Sequence, residues 1–193
     1  ITSGPSSPTN STSATFSFIS SASPSTFQCK LDTGSFSACT SPDTITVTSG
    51  AHTFYVQSTV TGGNTDFTAA TWNWTVDTTN PTTTIVTKPS NPTNVATPAF
   101  TFSSNESPNV TFQCELDSAS TWTTCPTTWP ALNDGSHTLK VRAVDQAGNA
   151  DPTGASYTWV IDTTAPRTTI VTGPPSPTNS TSAAFTLSSN ESP

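Results

Sequence analysis

The chain has 193 residues, a net charge of −7 and only five lysine and arginine residues. Binding to nucleic acid or to an acidic membrane surface requires clustered lysine and arginine, so this composition argues against both partners. No apolar run is long enough to cross a bilayer as a helix. Serine and threonine make up more than a third of the residues, but the apolar residues alternate with polar ones and five tryptophans are present. We therefore predict a folded chain.

The sequence repeats with a period of about 85 residues. Ile1, Ile85 and Ile170 open three similar stretches, whose starts are 84 and 85 residues apart. TFQCKLD in the first stretch recurs as TFQCELD in the second, and DTTNP recurs as DTTAP. The repeat therefore predicts a tandem array of similar modules.

Three modules follow from this repeat: module 1 (1–81), module 2 (82–166) and the N-terminal part of module 3 (167–193). Because the sequence lacks an initial methionine and stops inside a repeat, we expect it to be part of a longer protein. The linkers are short, and proline and threonine in them favour extended backbone. We therefore predict semi-rigid, end-to-end stacking of the modules.

Each module is predicted to begin with a proline-rich segment, GPSSPTNSTS in module 1. Such a segment suits an edge strand or an extended crossing, because proline lacks an amide donor. The strand that follows places Phe16 and Phe18 on one face, and the next strand places Phe27, Cys29 and Leu31 on one face. These alternating residues are the predicted core of the first half of the module.

A short strand over 44–47 and a long hairpin complete module 1. The hairpin is clearest in module 2, where every second residue of both arms is apolar: Leu139, Val141 and Ala143, then Tyr157, Trp159 and Ile161. A period of two marks a strand with one buried face. With about seven short strands per module and no amphipathic helix, we predict an all-β fold of tandem antiparallel β-sandwiches.

The four cysteines come as one pair per module, which favours the pairings Cys29–Cys39 and Cys114–Cys125. Closing a loop of this size stabilises a module by roughly 3 kcal/mol on the chain-entropy estimate. There is no CxxC motif and no histidine at ligand spacing, which argues against zinc. Disulfides indicate an oxidising compartment, and hence a secreted or surface protein.

The motifs PTNSTSATFSF, TFQCKLD, DGSHTLKVRAVDQAGNADP and SYTWVIDTTAP resemble the Ig-like repeats of large extracellular proteins. The resemblance is to bacterial Ig-like and fibronectin type III-like modules, including those of adhesins and of algal surface or flagellar-hair glycoproteins. It implies tandem Ig-like sandwiches at an extracellular or cell-surface location, in stalks, filaments or adhesive tips. The cysteine spacing agrees with this resemblance, because it joins neighbouring strands of one hairpin. In antibody domains, by contrast, the disulfide joins the two sheets.

Six Asn-X-Ser/Thr sequons are candidate sites of N-glycosylation. Asn73 and Asn109 are out of phase with their apolar neighbours, so we expect them to point outward. In two other sequons the serine is followed by proline, which hinders modification. The candidates are therefore Asn10, Asn73, Asn109 and Asn179, without Asn105 and Asn190. The alternative is a plain, uncharged and unmodified surface.

Asp145, Asn149, Asp151 and Asp162 could offer oxygen ligands to Ca²⁺ between modules. The alternative is that AGN simply forms the hairpin turn, with the acidic residues capping backbone amides. We favour the turn, because module 1 has no equivalent of Asp145. Apart from this calcium ion, no cofactor is expected.

No catalytic constellation is visible, so we do not expect an enzyme. His52 and His137 occupy one repeat position and are interpreted as strand-opening residues. Trp122 and Trp129, which have no tryptophan counterpart in module 1, could form a sugar-stacking platform or a module contact. Packing beneath the disulfide loop is the interpretation that we favour.

Two functions fit these observations. In the first, the modules form the shaft of an extracellular filament, appendage or stalk, with neighbouring copies or other shaft proteins as partners. The piece of module 3 favours it, because so short a piece cannot bury its own apolar face and is expected to pack against neighbouring copies. In the second, they are adhesin-type modules that bind glycans or a surface protein. The fold alone does not decide between them.

Overall fold

The structure is a computed structural model that describes residues 1–117 and 119–191. The described residues form fourteen β-strands and no helix. The described residues therefore include no helix that is long and apolar enough to cross a membrane. Antiparallel pairing joins all of the strands into five sheets, as the alternating apolar pattern predicted. The all-β sandwich prediction is therefore confirmed.

Module 1 has six strands in two sheets, one of four strands in the order β3-β2-β5-β6 and one of two strands, β1-β4. The prediction was about seven strands. The difference lies in residues 1–10, which form isolated bridges, Ser3 with Ser17 and Thr9 with Val76, and no strand. The strands are β1 Ser13–Phe16, β2 Ser25–Leu31, β3 Ser37–Cys39, β4 Asp43–Thr46, β5 Gly50–Val60 and β6 Ala70–Val76.

Module 2 repeats the four-stranded sheet but builds its second sheet from different strands. Its four-stranded sheet has the order β10-β9-β11-β12, and its second sheet pairs β7 with β8. The segment 126–133 forms no strand, because Pro126 and Pro130 remove amide donors from it. The strands are β7 Thr83–Thr87, β8 Thr101–Ser104, β9 Val110–Leu116, β10 Thr123–Thr124, β11 Gly135–Asp145 and β12 Ala155–Ile161.

The described part of module 3 is a single hairpin of β13 (Thr168–Thr172) and β14 (Thr186–Ser189). Its apolar side chains face solvent. Ile170, Phe185 and Leu187 are each more than half exposed. An isolated two-stranded sheet is marginally stable in water, so little in this chain fixes the hairpin.

Three aromatic rings dominate the core of module 1. Phe16 and Phe54 stack with ring centroids 4.0 Å apart, and Trp74 meets Phe16 edge-on at 5.2 Å. All three are almost fully buried. Burying one such side chain stabilises a fold by roughly 1.5–3 kcal/mol, so these rings hold the two sheets together.

The core of module 2 reaches a similar packing with different residues. Leu139 stands where module 1 has Phe54, and it is fully buried. Trp129 contributes additional aromatic volume, packing edge-on against Phe100 at 5.7 Å, while Trp159 meets Phe100 at 5.3 Å. The core of module 2 is therefore filled by a different combination of side chains.

The proline-rich opening segment covers the free edge of the last strand in both modules. In module 1, Thr9 forms a parallel bridge with Val76, and the indole N–H of Trp72 donates to the Pro5 carbonyl at 3.1 Å. In module 2, the Tyr157 hydroxyl donates in the same way to the Pro89 carbonyl at 3.0 Å. An edge covered in this way is not available for pairing with other chains.

Modules 1 and 2 each contain one disulfide, which lies at one edge of the larger sheet. Cys29 on β2 is bonded to Cys39 on β3, with Cα atoms 5.8 Å apart. Cys114 on β9 is bonded to Cys125, which follows β10, with Cα atoms 4.9 Å apart. Neither disulfide crosses between the sheets.

Candidate functional sites

The junction between modules 1 and 2 is built by the loop that connects β11 to β12. The Asn149 side-chain amide donates to the Asp77 carbonyl at 2.8 Å. The Asn10 backbone N–H donates to the Ala147 carbonyl at 3.1 Å. Asn149 is buried, and Asp145 holds it by accepting from both its backbone and its side-chain N–H groups. Module 2 therefore contacts module 1 through a preorganised loop.

Three carboxylates gather at this junction. One oxygen each from Asp77, Glu106 and Asp145 lies within 4.8 Å of the others. Burial raises the pKa of the Glu106 carboxyl, and the like charges of Asp145 and Asp77 raise it further. Without a cation the cluster is therefore electrostatically unfavourable.

The structure gathers a different set of residues from the four proposed for calcium. Asp145 and Asn149 are in contact, but the Asp162 carboxylate lies at the far end of module 2, where it accepts from the Thr164 N–H at 3.0 Å. Asp162 occupies the repeat position of Asp77, so Asp77 is the residue that faces Asp145. The 85-residue offset between the repeats was the signal in the sequence that could have identified Asp77. Calcium binding itself remains a prediction.

Asp151, another of the four, is satisfied by its own turn. One carboxylate oxygen accepts from the Thr153 N–H and hydroxyl and from the Gly154 N–H, at 2.8–2.9 Å. Burial opposes ionisation, but hydrogen bonds from Thr83, Gly154 and Thr153 outweigh it and hold the pKa of Asp151 well below its usual range. This carboxylate therefore acts as a cap, as the turn interpretation predicted.

A histidine–aspartate pair occurs in each module. His52 Nδ1 lies 2.9 Å from Asp32 Oδ2, and His52 Nε2 lies 2.9 Å from the Thr48 carbonyl oxygen. In module 2, His137 contacts Asp117 and the Asn133 carbonyl at the same distances. The histidines do open strands, being the third residues of β5 and β11.

The sequence interpretation missed the acidic partners of these histidines. The available signal was an aspartate twenty residues before each histidine in both modules. Hydrogen bonding to Asp32, and then to the Thr48 carbonyl, raises the pKa of His52. The Asn133 carbonyl, and then Asp117, raise the pKa of His137.

The two tryptophans that are particular to module 2 have different environments. Trp129 packs on the core residue Phe100, as the packing interpretation predicted. Trp122 instead stacks on the guanidinium of Arg142, whose Cζ lies 4.5 Å from its ring centroid. Phe36 holds the corresponding place in module 1, three residues before the second cysteine, and the ammonium of Lys30 lies 5.2 Å from its ring centroid.

A lateral groove of about 600 Å³ opens between β3 and β4 of module 1. Leu31, Ile45 and Phe54 provide its apolar lining, together with the disulfide. Lys30 and Asp43 contribute opposite charges to the same groove. This groove was not predictable from the sequence, because it depends on a gap between two sheets.

All six sequon asparagines are exposed, but their surroundings differ. Asn73 and Asn109 point away from the core, as the alternation predicted. Asn10 lies in the module junction, and the Asn105 Oδ1 accepts from the Thr82 N–H and hydroxyl. Asn179 lies in the opening segment of module 3.

Residues 81–163 match the family model described as bacterial Ig-like domain. Module 2 is therefore similar to bacterial Ig-like domains. Module 1 repeats the strand order of its four-stranded sheet and its disulfide position, although the family match does not extend over module 1. The Ig-like resemblance of the sequence is thereby confirmed, and this fold is typically non-catalytic.

Solved structures with the same type of fold include the fibronectin(III)-like modules of CbhA from Clostridium thermocellum. The likeness has a TM-score of 0.50 at 14% identity, and covers 80% of this chain and 88% of that one. A tetra-tandem repeat from the extending region of a large adhesion protein is similar with a TM-score of 0.32 at 16% identity, covering 86% of this chain and 51% of that one. The fold assignment depends on the first likeness alone. No curated protein matches this chain.

Proposed function

We propose that this chain is a structural segment of Ig-like repeats that forms the shaft of an extracellular filament, appendage or stalk. The junction between modules 1 and 2 carries the proposal. Two hydrogen bonds, from Asn149 to the Asp77 carbonyl and from Asn10 to the Ala147 carbonyl, connect consecutive modules across a short linker. A shaft needs this fixed orientation, which flexibly linked modules lack.

The chemistry of the modules supports an extracellular or cell-surface setting. Each module has one disulfide, and disulfides persist in oxidising compartments. The proposed partners are neighbouring copies of the chain or other shaft proteins. In a host with N-glycosylation, Asn73 and Asn109 would carry glycans, because both side chains are exposed on sheet positions or turns away from the core.

Spin-label distances between module 1 and module 2 test the junction. We expect a narrow distance distribution in the wild-type chain and a broader one in Asn149→Ala, which loses the bonds to Asp77 and Asp145. Asn64→Ala is the matched control, because Asn64 holds the same repeat position in module 1, away from this junction. A broad wild-type distribution would rule out a rigid junction.

Electron microscopy of a longer array of these repeats tests the shaft itself. We expect straight rods of uniform width whose length increases in proportion to the number of modules, with lateral contacts between copies in a filament. Bent chains with independent modules, at any protein concentration, would contradict the proposal.

An adhesin-type function is the second candidate, and the lateral groove of module 1 is the observation that favours it. Its apolar lining and its charged rim residue Lys30 are suited to a glycan or a short peptide segment. Binding to a glycan array and to cell-surface extracts tests this function. Ala38→Trp, which places a large side chain at the exposed groove wall, should abolish binding, whereas Ala51→Trp outside the groove should not.

A further inference from the structure

Both nitrogens of His52 and of His137 face hydrogen-bond acceptors, a carboxylate on one side and a backbone carbonyl on the other. A neutral imidazole has one N–H group and can donate only one of these bonds, whereas an imidazolium donates both. We propose that each histidine is held as an imidazolium cation and forms a pH-sensitive staple between two turns of its module.

In module 1 the staple connects the turn after β2 with the connection between β4 and β5. The charged group that faces His52 is the Asp32 carboxylate, and its other neighbours are the Thr48 carbonyl and the Trp74 ring, whose centroid lies 5.4 Å away. Asp32 also accepts from the Thr53 N–H at 2.7 Å. The His52 side chain is only 11% exposed, so water competes weakly for these bonds.

Module 2 repeats the staple. Asp117 faces His137 from the turn after β9, and the Trp159 ring centroid lies 5.7 Å from the imidazole. The nearby Asp134 is not a competitor, because its carboxylate accepts from Thr163 and Thr164. The tryptophan beside the imidazole recurs as well, whereas Leu139 replaces Phe54 in the core of module 2. The staple is therefore a property of the repeat.

The staple holds two aspartates in an unfavourable backbone conformation. Asp32 and Asp117 have φ values of 50° and 56°, in the left-handed region that costs free energy for non-glycine residues. Deprotonation of the imidazole removes one of its two donated bonds. It also leaves a nitrogen lone pair facing an oxygen lone pair. Each turn is therefore held most firmly in mildly acidic solution and loosens in alkaline solution.

The sign of the effect on stability follows from the same geometry. The pKa of each histidine is raised above its usual 6.5 in the folded module. The stabilisation is therefore fully present below the unfolded pKa and is lost as the pH rises through the folded pKa.

An NMR titration of the imidazole nitrogens tests the protonation state directly. We expect both histidines to titrate with midpoints above 6.5 and to show the imidazolium signature at about pH 6. Asp32→Asn should lower the midpoint of His52 and leave that of His137 unchanged, and Asp117→Asn should do the reverse. A neutral tautomer at that pH, or a midpoint at or below 6.5, would overturn the proposal.

Thermal unfolding supplies a second test that does not require the aspartate variants to fold. The midpoint temperature of the wild-type chain should fall between about pH 5.5 and about pH 8.5, and the fall should be smaller in His52→Gln and smallest in the double variant with His137→Gln. Tryptophan fluorescence should rise over the same range, since a neutral imidazole quenches the adjacent indole less than an imidazolium does. An unchanged pH dependence in the double variant would overturn the staple.

Discussion

At the scale of single residues, Asp32 shows how one carboxylate can organise a turn. One oxygen accepts from the Thr53 backbone N–H and the other from His52, so the side chain joins the end of β2 to the start of β5. Burial works against its ionisation, but the bonds from His52 and Thr53 outweigh that cost and lower its pKa. Asp117 makes the equivalent contacts in module 2.

Glu106 provides a test of electrostatics at the module junction. Glu106→Gln removes one of three clustered negative charges while keeping the size of the side chain. Without a bound cation, the substitution should raise the free energy of unfolding at neutral pH by about 0.5 kcal/mol, because repulsion with Asp145 and Asp77 is relieved. Chemical denaturation at low ionic strength measures this difference in the free energy of unfolding.

The control for this prediction is Glu115→Gln, which loses a contact with Lys140 and should not stabilise the chain. The same measurement in added Ca²⁺ distinguishes a cluster of mutually repelling carboxylates from a cation-binding site. If Ca²⁺ stabilises the wild-type chain and not Glu106→Gln, the three carboxylates hold a cation. Destabilisation by Glu106→Gln in a metal-free buffer would contradict the repulsion.

At the scale of strands, the outer face of the larger sheet keeps its cross-strand pairs while changing their chemistry. The ammonium of Lys30 lies 4.4 Å from the Tyr55 ring centroid, and these residues are direct partners in β2 and β5. The equivalent partners in module 2, Glu115 and Lys140, form a salt bridge at 3.4 Å. A second pair also keeps its position and changes its residues: Gln28 bonds to Gln57 in module 1, and Gln113 bonds to Arg142 in module 2. Pairs of either kind stabilise a sheet, so the repeat constrains the register and not the residue type.

Gly4 permits the close approach of the opening segment to β6. A Cβ atom at this position would lie 2.6 Å from Cε2 of Trp72, an aromatic ring that is itself fixed by its bond to the Pro5 carbonyl. Gly4→Ala should therefore destabilise module 1 by roughly 1–3 kcal/mol. Lys88→Ala is the matched control, since module 2 already has a side chain at this repeat position. Equal effects of the two substitutions in a thermal unfolding assay would contradict the close contact.

The disulfides stabilise the hairpin in which they lie. Replacing both Cys114 and Cys125 by alanine should lower the free energy of unfolding of module 2 by roughly 3 kcal/mol, because the unfolded loop regains its freedom. Module 1, with Cys29 and Cys39 intact, should keep its own transition. Denaturation monitored by module-specific NMR signals measures this, and an unaffected module 2 transition would show that the disulfide is dispensable.

At the scale of the whole molecule, the modules differ in how completely each buries its apolar surface. Modules 1 and 2 each enclose a core between two sheets. Among the described residues, no second sheet covers the module 3 hairpin, and Ile170, Phe185 and Leu187 are exposed. Within this chain, the hairpin is therefore expected to be less stable than modules 1 and 2.

Limited proteolysis tests this gradient. Arg167 precedes the exposed strand β13, whereas Lys30, Lys140 and Arg142 lie within paired strands. Trypsin should cleave after Arg167 first and leave modules 1 and 2 intact, as mass spectrometry of the fragments would show. Early cleavage at Lys140 or Arg142 would mean that module 2 is less stable than its packed core implies.

The sequence alone determined the repeat, the strand character and the location of the core, because these depend on local alternation and on self-similarity. Phe16, Leu139 and Trp159 were identifiable as core residues from their period of two. The number of strands was overestimated, since proline removes hydrogen bonds from the opening segment and from 126–133 without disturbing the apolar pattern.

Only the tertiary structure decided which distant side chains meet. Asp32 reaches His52 across the sheet, Asp77 and not Asp162 faces Asp145, and a groove opens between β3 and β4. These contacts depend on how two sheets and two modules are placed relative to each other, and this placement follows from packing across the core and the junction. The alternation of residues along the sequence does not determine the distances between two sheets or between two modules.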